Sequence, residues 1–372
     1  MNETVHRLLE LLQGSEPVPP AAAAELASPE HPRNQLGALA QVFEGVRRSS
    51  PVPGRAQQRT GDLTVIPVST SMGVQADLFI TTAQQGALDG LRIEARPQEV
   101  TTPDDLRREL RRIDPGASVV VDGPRIDDDG RVKAVASLAK IFVLATVLQD
   151  VEEGRLHLDD TRVVTHQDIS SSSAGLGADH VGSRLTVGEL AQLMVLRSDN
   201  TATDILIDLV GLDRLVHTAV AFGVPPEDAC RFKRTRDIWG GPPATGPRAP
   251  VHTDGHDYFV PLRAVTTAMH HLATRPWLPW PPSPEGDARE PILYKGGSAP
   301  GVLAAVWRSG PPLSGIAVAI AVNAERELGL LEEIHVFSCA ERLVTELTTS
   351  RRHTPPAAGT HQARTERHLD VH

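Results

Sequence analysis

The chain has 372 residues, of which 40% are apolar but only 3% aromatic, and its formal net charge at pH 7 is −10. This length exceeds one ordinary domain, so we expect two domains whose cores consist mainly of aliphatic side chains. The acidic balance argues against a nucleic-acid partner and against an anionic membrane surface, because both require a basic face.

The first part of the chain has the pattern of a small α+β domain, which we assign to residues 1–97. Apolar residues at helical spacing come first, and alternating apolar and polar residues typical of strands follow. The predicted helices lie near residues 3–12, 20–27 and 33–46, and the predicted strands at 63–69, 74–81 and 91–97. This order favours an antiparallel sheet packed on helices.

The N-terminus has no basic start followed by an apolar run of secretory length, and Val5, Leu8 and Leu12 instead share one helix face. No apolar run is long enough to cross a membrane. We therefore expect no signal peptide, no membrane association and a cytoplasmic location.

The remainder of the chain predicts a linking helix and a larger second domain. The linker is assigned to residues 98–114, the second domain to 115–350, and a disordered tail to 351–372. Within the second domain, strands are predicted at 119–123, 131–136, 291–297, 302–309 and 315–324, and helices at 137–154, 185–196 and 201–211, with an amphipathic helix last. Residues 233–256 are rich in Gly, Pro and Arg and predict a long loop.

Lysine is scarce in this sequence. Its four lysines are Lys133, Lys140, Lys233 and Lys295, and arginine supplies the rest of the positive charge. A role that arginine cannot take is that of a titratable amine whose pKa is lowered by burial. Lys140 and Lys295 are therefore candidates for such a role.

Ser137 and Lys140 form a Ser-x-x-Lys pair where a strand-like run meets an apolar helical run. Residues three apart share a helix face, so the amine of Lys140 returns beside the hydroxyl of Ser137. A hydroxyl is a weak nucleophile that needs such a base. Taken alone, the pair is equally compatible with an ordinary helix start capped by Ser137.

Ser198-Asp199-Asn200 lies between two predicted helices and offers a second hydroxyl and an amide. Such groups can pass a proton to a leaving group and hold a substrate amide, although Ser, Asp and Asn are also common helix caps. Lys295-Gly296-Gly297-Ser298 ends a predicted strand. Its glycines permit a substrate to approach the backbone closely, and the N–H groups of Ser137 and Ser298 could form an oxyanion hole. The alternative interpretation of this motif is an ordinary strand that ends in a glycine turn.

The three motifs occur in one order, at a helix start, a helix–helix loop and a strand. In this they resemble the serine-hydrolase signature of class A β-lactamases and penicillin-binding proteins, over roughly residues 115–348. With its N-terminal part, the chain resembles the two-domain hydrolases of clavulanate-type biosynthetic clusters, in which a small isomerase-like domain precedes a β-lactamase-like one. The fold implied is α+β, with an antiparallel sheet flanked by helices plus an all-helical subdomain.

The resemblance also implies roles for individual residues. Ser137 is acylated, Lys140 is the base, Ser198 moves a proton and Lys295 sets the field of the site. The expected substrate-binding residues are Asn200, Gly296, Gly297 and Ser298.

Two departures from the family pattern affect the expected activity. No Glu-x-x-Leu-Asn run follows the second motif, so the glutamate that activates the deacylating water in class A β-lactamases has no counterpart. Glu227, Asp228 and Asp237 are only distant candidates. Gly296 lacks the hydroxyl that usually binds a substrate carboxylate, so either Ser298 compensates or the substrate lacks that group.

We expect a serine hydrolase that acts on a small amide, ester or lactam in secondary metabolism. The alternatives are a β-lactamase, a D-alanyl peptidase, and a non-catalytic binding or scaffold protein on the same fold. No cofactor is expected, and the 15 histidines show no metal-ligand spacing. Cys230 and Cys339 predict two reduced, buried thiols rather than a disulfide. Trp239, Trp277 and Trp280 lie in Pro-rich segments and either rim a cleft or pack loops.

Overall fold

The computed structural model describes residues 3–28, 35–83, 86–96, 99–170, 173–239, 250–253, 255–275, 292–311 and 314–352. The predicted α+β class is confirmed, with two main antiparallel sheets and helices packed on them. The predicted disordered tail, 351–372, starts too early, because residues 351 and 352 still belong to the last helix. Residues 353–372, together with Trp277 and Trp280, lie outside the described residues.

The first unit places three helices beside a twisted antiparallel sheet. The helices are α1 (Glu3–Gln13), α2 (Pro20–Leu26) and α3 (Leu36–Arg48). The strands are β1 (Val52–Pro53), β2 (Gln57–Thr60), β3 (Leu63–Ser69), β4 (Gln75–Thr82) and β5 (Leu88–Ala95). Their order is β1-β3-β4-β5, with β2 also paired to β3. Helix α4 (Pro103–Leu110) follows, and a capping box between Thr102 and Asp105 fixes its start.

The second unit is built on a five-stranded sheet of order β12-β13-β14-β6-β7. These strands are β6 (Ser118–Asp122), β7 (Ile126–Asp127), β12 (Leu293–Ala299), β13 (Val302–Ser309) and β14 (Ile316–Asn323). Two small pairs complete the strands: β8 (Val132–Ala134) with β11 (Phe259–Pro261), and β9 (Thr161–Val163) with β10 (Arg184–Thr186).

The described residues of this unit also form eight α-helices. They are α5 (Lys140–Glu152), α6 (Val187–Leu196), α7 (Asn200–Val210), α8 (Leu212–Ala221), α9 (Pro226–Ala229), α10 (Thr235–Trp239), α11 (Leu262–Leu272) and α12 (Leu330–Arg352). The predicted capping box of Thr186 and Glu189 starts α6. Helices α8 to α11 lie where no helix is predicted from sequence, and α10 replaces part of the predicted loop 233–256.

The five-stranded sheet of the second unit is buried on both faces. Alternate residues of a strand point to opposite sides, so each strand contributes side chains to two cores. In β13, Ala304 and Val306 pack among α5 to α8 and α11. Leu303, Ala305 and Trp307 pack on the other side, with α4, α12 and side chains of the first unit. Helix α12 contacts β4 and β5 of the first sheet as well as β13 and β14 of the second.

None of the helices in the described part of the chain combines the length and the hydropathy that a membrane crossing needs.

Candidate active site

Ser137 lies in a 3₁₀ turn, Ala136–Ala139, and the α-helix begins only at Lys140. The prediction that the α-helix starts at Ser137 is therefore wrong by three residues. Ala136 has φ +47°, a left-handed conformation that is strained for a residue with a side chain. Its N–H donates to the carboxylate of Asp257 at 3.0 Å, which holds the strained residue directly before the candidate nucleophile.

Lys140 is buried and its Nζ lies 3.0 Å from Ser137 Oγ. The same nitrogen is 2.7 Å from Asn200 Oδ1, 2.6 Å from the Ser198 carbonyl oxygen and 3.2 Å from Ser198 Oγ. Burial lowers the pKa of Lys140 to about 8, although the nearby charges of Asp199 and Asp204 oppose the change. A substantial share of this amine is therefore neutral near physiological pH, so it can accept a proton from Ser137.

Lys295 projects from β12 to the same place. Its Nζ is 3.0 Å from Ser198 Oγ and 2.6 Å from the carbonyl oxygen of Gly296. Burial, followed by the charge of Lys140, lowers the pKa of Lys295 to about 7. The structure thus brings Ser137, Lys140, Ser198, Asn200 and Lys295 into one hydrogen-bonded group.

Asp199 explains how the Ser198–Asn200 turn is held. It caps α7 by accepting from the N–H of Ala202 at 2.7 Å, and it is fully buried. Its second oxygen accepts from Ser173 Oγ at 2.6 Å and from the N–H groups of Gly175 and Leu176 at 2.7 and 2.8 Å. With these contacts in place, Ser198 can occupy a left-handed conformation, φ +53°, between α6 and α7.

Gly297 lies against the turn that carries the nucleophile. A Cβ at this position would meet the carbonyl oxygen of Val135 and would lie 2.5 Å from Leu138 N and 2.8 Å from Ser137 N. Only glycine allows β12 to approach this closely. The contact places Gly297, the residue before the exposed Ser298, against the backbone of Ser137.

Gly296 has a different neighbour. A Cβ there would lie 2.5 Å from the hydroxyl oxygen of Tyr294. Burial raises the pKa of Tyr294 to about 12, so the phenol remains protonated and can donate a hydrogen bond. A tyrosine hydroxyl therefore lies next to the position where the family pattern has a serine or threonine side chain.

Ser137, Lys140, Ser198, Asn200 and the run Gly296–Ser298 line an open cleft of about 500 Å³. Arg197, Tyr294, Glu327, Glu333 and Phe337 line it as well. Burial and the charges of Glu327 and Glu332 raise the pKa of Glu333 to about 7. These carboxylates were not predicted as site residues, because they lie in and just before α12, far from all three motifs in sequence.

None of the distant candidates for a deacylating base, Glu227, Asp228 and Asp237, lines this cleft in the described structure. Asp204, which is buried near Lys140, is committed to structural bonds. It accepts from the hydroxyls of Ser170 and Thr235, at 2.5 and 2.9 Å, and from the N–H groups of Thr235 and Arg236. These bonds fix the start of α10 beside the cleft.

Both cysteines are free thiols, but Cys230 is exposed, so the prediction that both are buried is wrong for this residue. It follows the short helix α9 on the surface, where its Sγ is 3.1 Å from the Glu227 carbonyl oxygen. Trp239 ends α10.

Part of the chain matches a known protein family. Residues 125–237 match the β-lactamase enzyme family. The match includes the Ser-x-x-Lys pair and the Ser198–Asn200 motif. No curated protein sequence matches the chain.

Solved structures share the fold of the second unit. The β-lactamase of Sphaerobacter thermophilus is 22% identical, with a TM-score of 0.50 and coverage of 68% of this chain and 98% of its own. The β-lactamase of Francisella tularensis is 18% identical, with a TM-score of 0.50 and coverage of 66% and 99%. An ancestral Gram-negative class A β-lactamase is 18% identical, with a TM-score of 0.50 and coverage of 66% of this chain and 97% of its own. The expected resemblance to class A β-lactamases is thus confirmed for the fold of about two thirds of the chain, and residues 125–237 match the β-lactamase enzyme family, whereas the resemblance to clavulanate-cluster hydrolases stays a prediction.

Proposed function

We propose that this protein is a serine acyl hydrolase that forms an acyl-enzyme on Ser137 with a small amide, ester or lactam. The observation that carries the proposal is the distance of 3.0 Å between Lys140 Nζ and Ser137 Oγ, in a setting that lowers the pKa of the amine. A base must be within hydrogen-bond reach of the proton it removes and must be unprotonated at working pH.

Acylation follows from this geometry. Ser137 Oγ attacks the substrate carbonyl carbon while Lys140 Nζ takes the hydroxyl proton. The N–H groups of Ser137 and Ser298 hold the resulting oxyanion. The proton passes from Lys140 through the hydroxyl of Ser198 to the leaving nitrogen or oxygen, whose bond to carbon breaks. Lys140 and Lys295 both reach Ser198 Oγ, which supports a role for that hydroxyl in this transfer.

For deacylation, the described residues do not supply an evident base that could activate the attacking water. Within them, the carboxylate of Asp204 is used in structural hydrogen bonds, and the cleft-lining carboxylates are Glu327 and Glu333. We therefore infer slow water attack on the acyl-enzyme and favour a role other than rapid β-lactam destruction. The resemblance to hydrolases of clavulanate-type clusters supports a role in secondary metabolism, with a cytoplasmic location.

β-Lactamase activity is the second candidate, favoured by the family match over residues 125–237. The two activities differ in turnover. A β-lactamase releases product many times per enzyme molecule, whereas an enzyme without an efficient water-activating base accumulates the acyl form.

The test is intact-mass measurement after incubation with a panel of activated esters and β-lactams. We expect one acyl group per chain on Ser137, and no adduct with Ser137→Ala or Lys140→Arg, since arginine stays protonated. Lys133→Arg is the matched control, because Lys133 forms an ion pair with Asp114 at 3.3 Å outside the cleft. Absence of an adduct with every probe would favour a non-catalytic protein, and rapid multiple turnover of a lactam would favour a β-lactamase.

A further inference from the structure

A second cluster of reactive side chains lies away from the cleft, between α4 and α12. It consists of Glu109, His335 and Cys339, whose relative exposures are 1%, 2% and 0%. None of the three lines the cleft around Ser137. We propose that this cluster binds one Zn²⁺ ion through these three side chains, with a water molecule as the fourth ligand.

Helix periodicity puts two of the ligands together. His335 and Cys339 are four residues apart on α12, so their side chains lie on the same face. His335 Nε2 is 3.6 Å from Cys339 Sγ. Glu109 comes from the last turn of α4, and its Oε2 lies 3.4 Å from the same Nε2. Three donor atoms from two helices therefore converge, all within 4.8 Å of one another.

The two separations that involve His335 Nε2 fit a tetrahedral zinc site, and the separation between the Glu109 oxygen and Cys339 Sγ is at most 4.8 Å. With Zn–N and Zn–O bonds of about 2.0–2.1 Å and a Zn–S bond of about 2.3 Å, tetrahedral angles require an N–O separation of about 3.3 Å and an N–S separation of about 3.6 Å. The observed separations are 3.4 and 3.6 Å. Imidazole and thiolate together select zinc over magnesium or calcium, which prefer oxygen ligands alone.

The cluster also contains buried polar atoms whose hydrogen-bonding capacity is unused. In the described structure neither carboxylate oxygen of Glu109 has a hydrogen-bond partner. A buried carboxylate without such partners is costly, and the guanidinium of Arg112 approaches it only to 3.4 Å. A divalent cation would balance the charges of one carboxylate and one thiolate within the cluster.

The location suggests what the ion does. Helix α4 packs on β6 of the second sheet, and α12 contacts both sheets. An ion held by both helices would therefore tie α12 to the segment that links the two units. A zinc ion that binds only the folded protein stabilises the folded state by mass action.

The experiment uses the full chain, first freed of metal with a chelator and then titrated with Zn²⁺ or Co²⁺. We expect about one equivalent of zinc per chain by elemental analysis, and a near-ultraviolet thiolate-to-Co²⁺ charge-transfer band with Co²⁺. Zinc in excess should raise the Tm by at least about 4 °C.

Cys339→Ser should remove the charge-transfer band and most of the zinc-dependent rise in Tm, and His335→Gln should also abolish the rise. Cys230→Ser, which alters the other thiol, should change neither readout. Acyl labelling of Ser137 is measured in parallel, so that failure of this proposal is distinguishable from failure of the enzymatic one. A wild-type chain that gives no charge-transfer band and no zinc-dependent Tm shift would overturn the proposal and leave a Glu109–His335 ion pair beside a buried thiol.

Discussion

Lys140 and Lys295 bring their side-chain nitrogens to the same atom, the hydroxyl oxygen of Ser198, at 3.2 and 3.0 Å. Burial lowers the pKa of Lys140 to about 8 and that of Lys295 to about 7, and the charge of Lys140 lowers the pKa of Lys295 further. A neutral amine beside Ser137 is therefore a product of the packing around Ser198.

The first prediction concerns the pH dependence of acylation. Lys140 must be neutral to accept the Ser137 proton, and its amine loses its proton as pH rises through about 8. The single-turnover acylation rate should rise up to about tenfold per pH unit below this value and level off above it. Rapid-quench mass spectrometry across the range measures this rate. A profile that is flat between about pH 6 and 9 would contradict the assignment of Lys140 as base.

The second prediction concerns the two neighbouring glycines. Gly297→Ala would push a methyl group against backbone atoms of Val135, Ser137 and Leu138, which cannot move without displacing the nucleophile. We expect acylation to fall about 100-fold or more, comparable to the loss of an oxyanion donor. Gly296→Ala, in the same cleft, is the comparison variant: its methyl group meets the side chain of Tyr294 rather than backbone, so we expect a smaller loss. Acylation rates of the two variants give the comparison, and equal losses would contradict this interpretation.

The third prediction separates two roles of Asp257. Asp257→Ala leaves the N–H groups of Ala136 and Tyr258 without their acceptor, and should cost about 1–3 kcal/mol of stability and slow acylation. Asp257→Asn keeps an oxygen for both donors and should retain acylation. Urea unfolding and acylation rates of both variants measure these effects.

The same residue gives a pH signature. Burial raises the pKa of Asp257 to about 7, above the ordinary aspartate value of 3.8. The folded state therefore holds a proton that the unfolded state has released, and the contribution of Asp257 to stability declines as pH rises from about 4 to about 7. Asp257→Asn should lack this decline. Identical pH–stability curves for the variant and the unaltered protein would refute the proposed burial cost.

The fourth prediction concerns Asp199, which holds the Ser198–Asn200 turn. Asp199→Ala removes a helix cap and the acceptor for three further donors, so we expect a loss of at least about 3 kcal/mol together with slower acylation. Asp168→Ala is the control, because Asp168 accepts from Thr165 in an exposed turn and should cost less than about 1 kcal/mol. Chemical denaturation measures the free energy of unfolding of both variants. Similar losses of stability for the two would contradict the structural role assigned to Asp199.

The sequence predicts the local half of the candidate site. Ser137 and Lys140 are three residues apart, so a helical turn alone brings them together. Lys295 and Ser198 are 97 residues apart, and only their places in two motifs suggested the contact. Sequence periodicity likewise located most strands and the long helices, because burial of one face leaves a regular apolar pattern.

The supporting residues could not be predicted in this way. Asp257 reaches Ala136 across 121 residues, and nothing around it distinguishes it from an ordinary loop aspartate. Tyr294 is adjacent to Lys295, but its relation to Gly296 depends on the side-chain packing above the strand. Helix α8 was detectable in principle, since Leu215 and Ala219 are buried at helical spacing.

The packing of α12 has a consequence for how the protein is made. This helix contacts strands of both sheets, yet it is the last element of the described chain to leave the ribosome. During synthesis, the strands of each sheet can pair while the apolar face that α12 later covers is still exposed to solvent. Nascent chains that stop short of residue 330 lack this helix and should therefore bind chaperones. The 22 residues that follow Leu330 in α12 then cover apolar surface of both sheets.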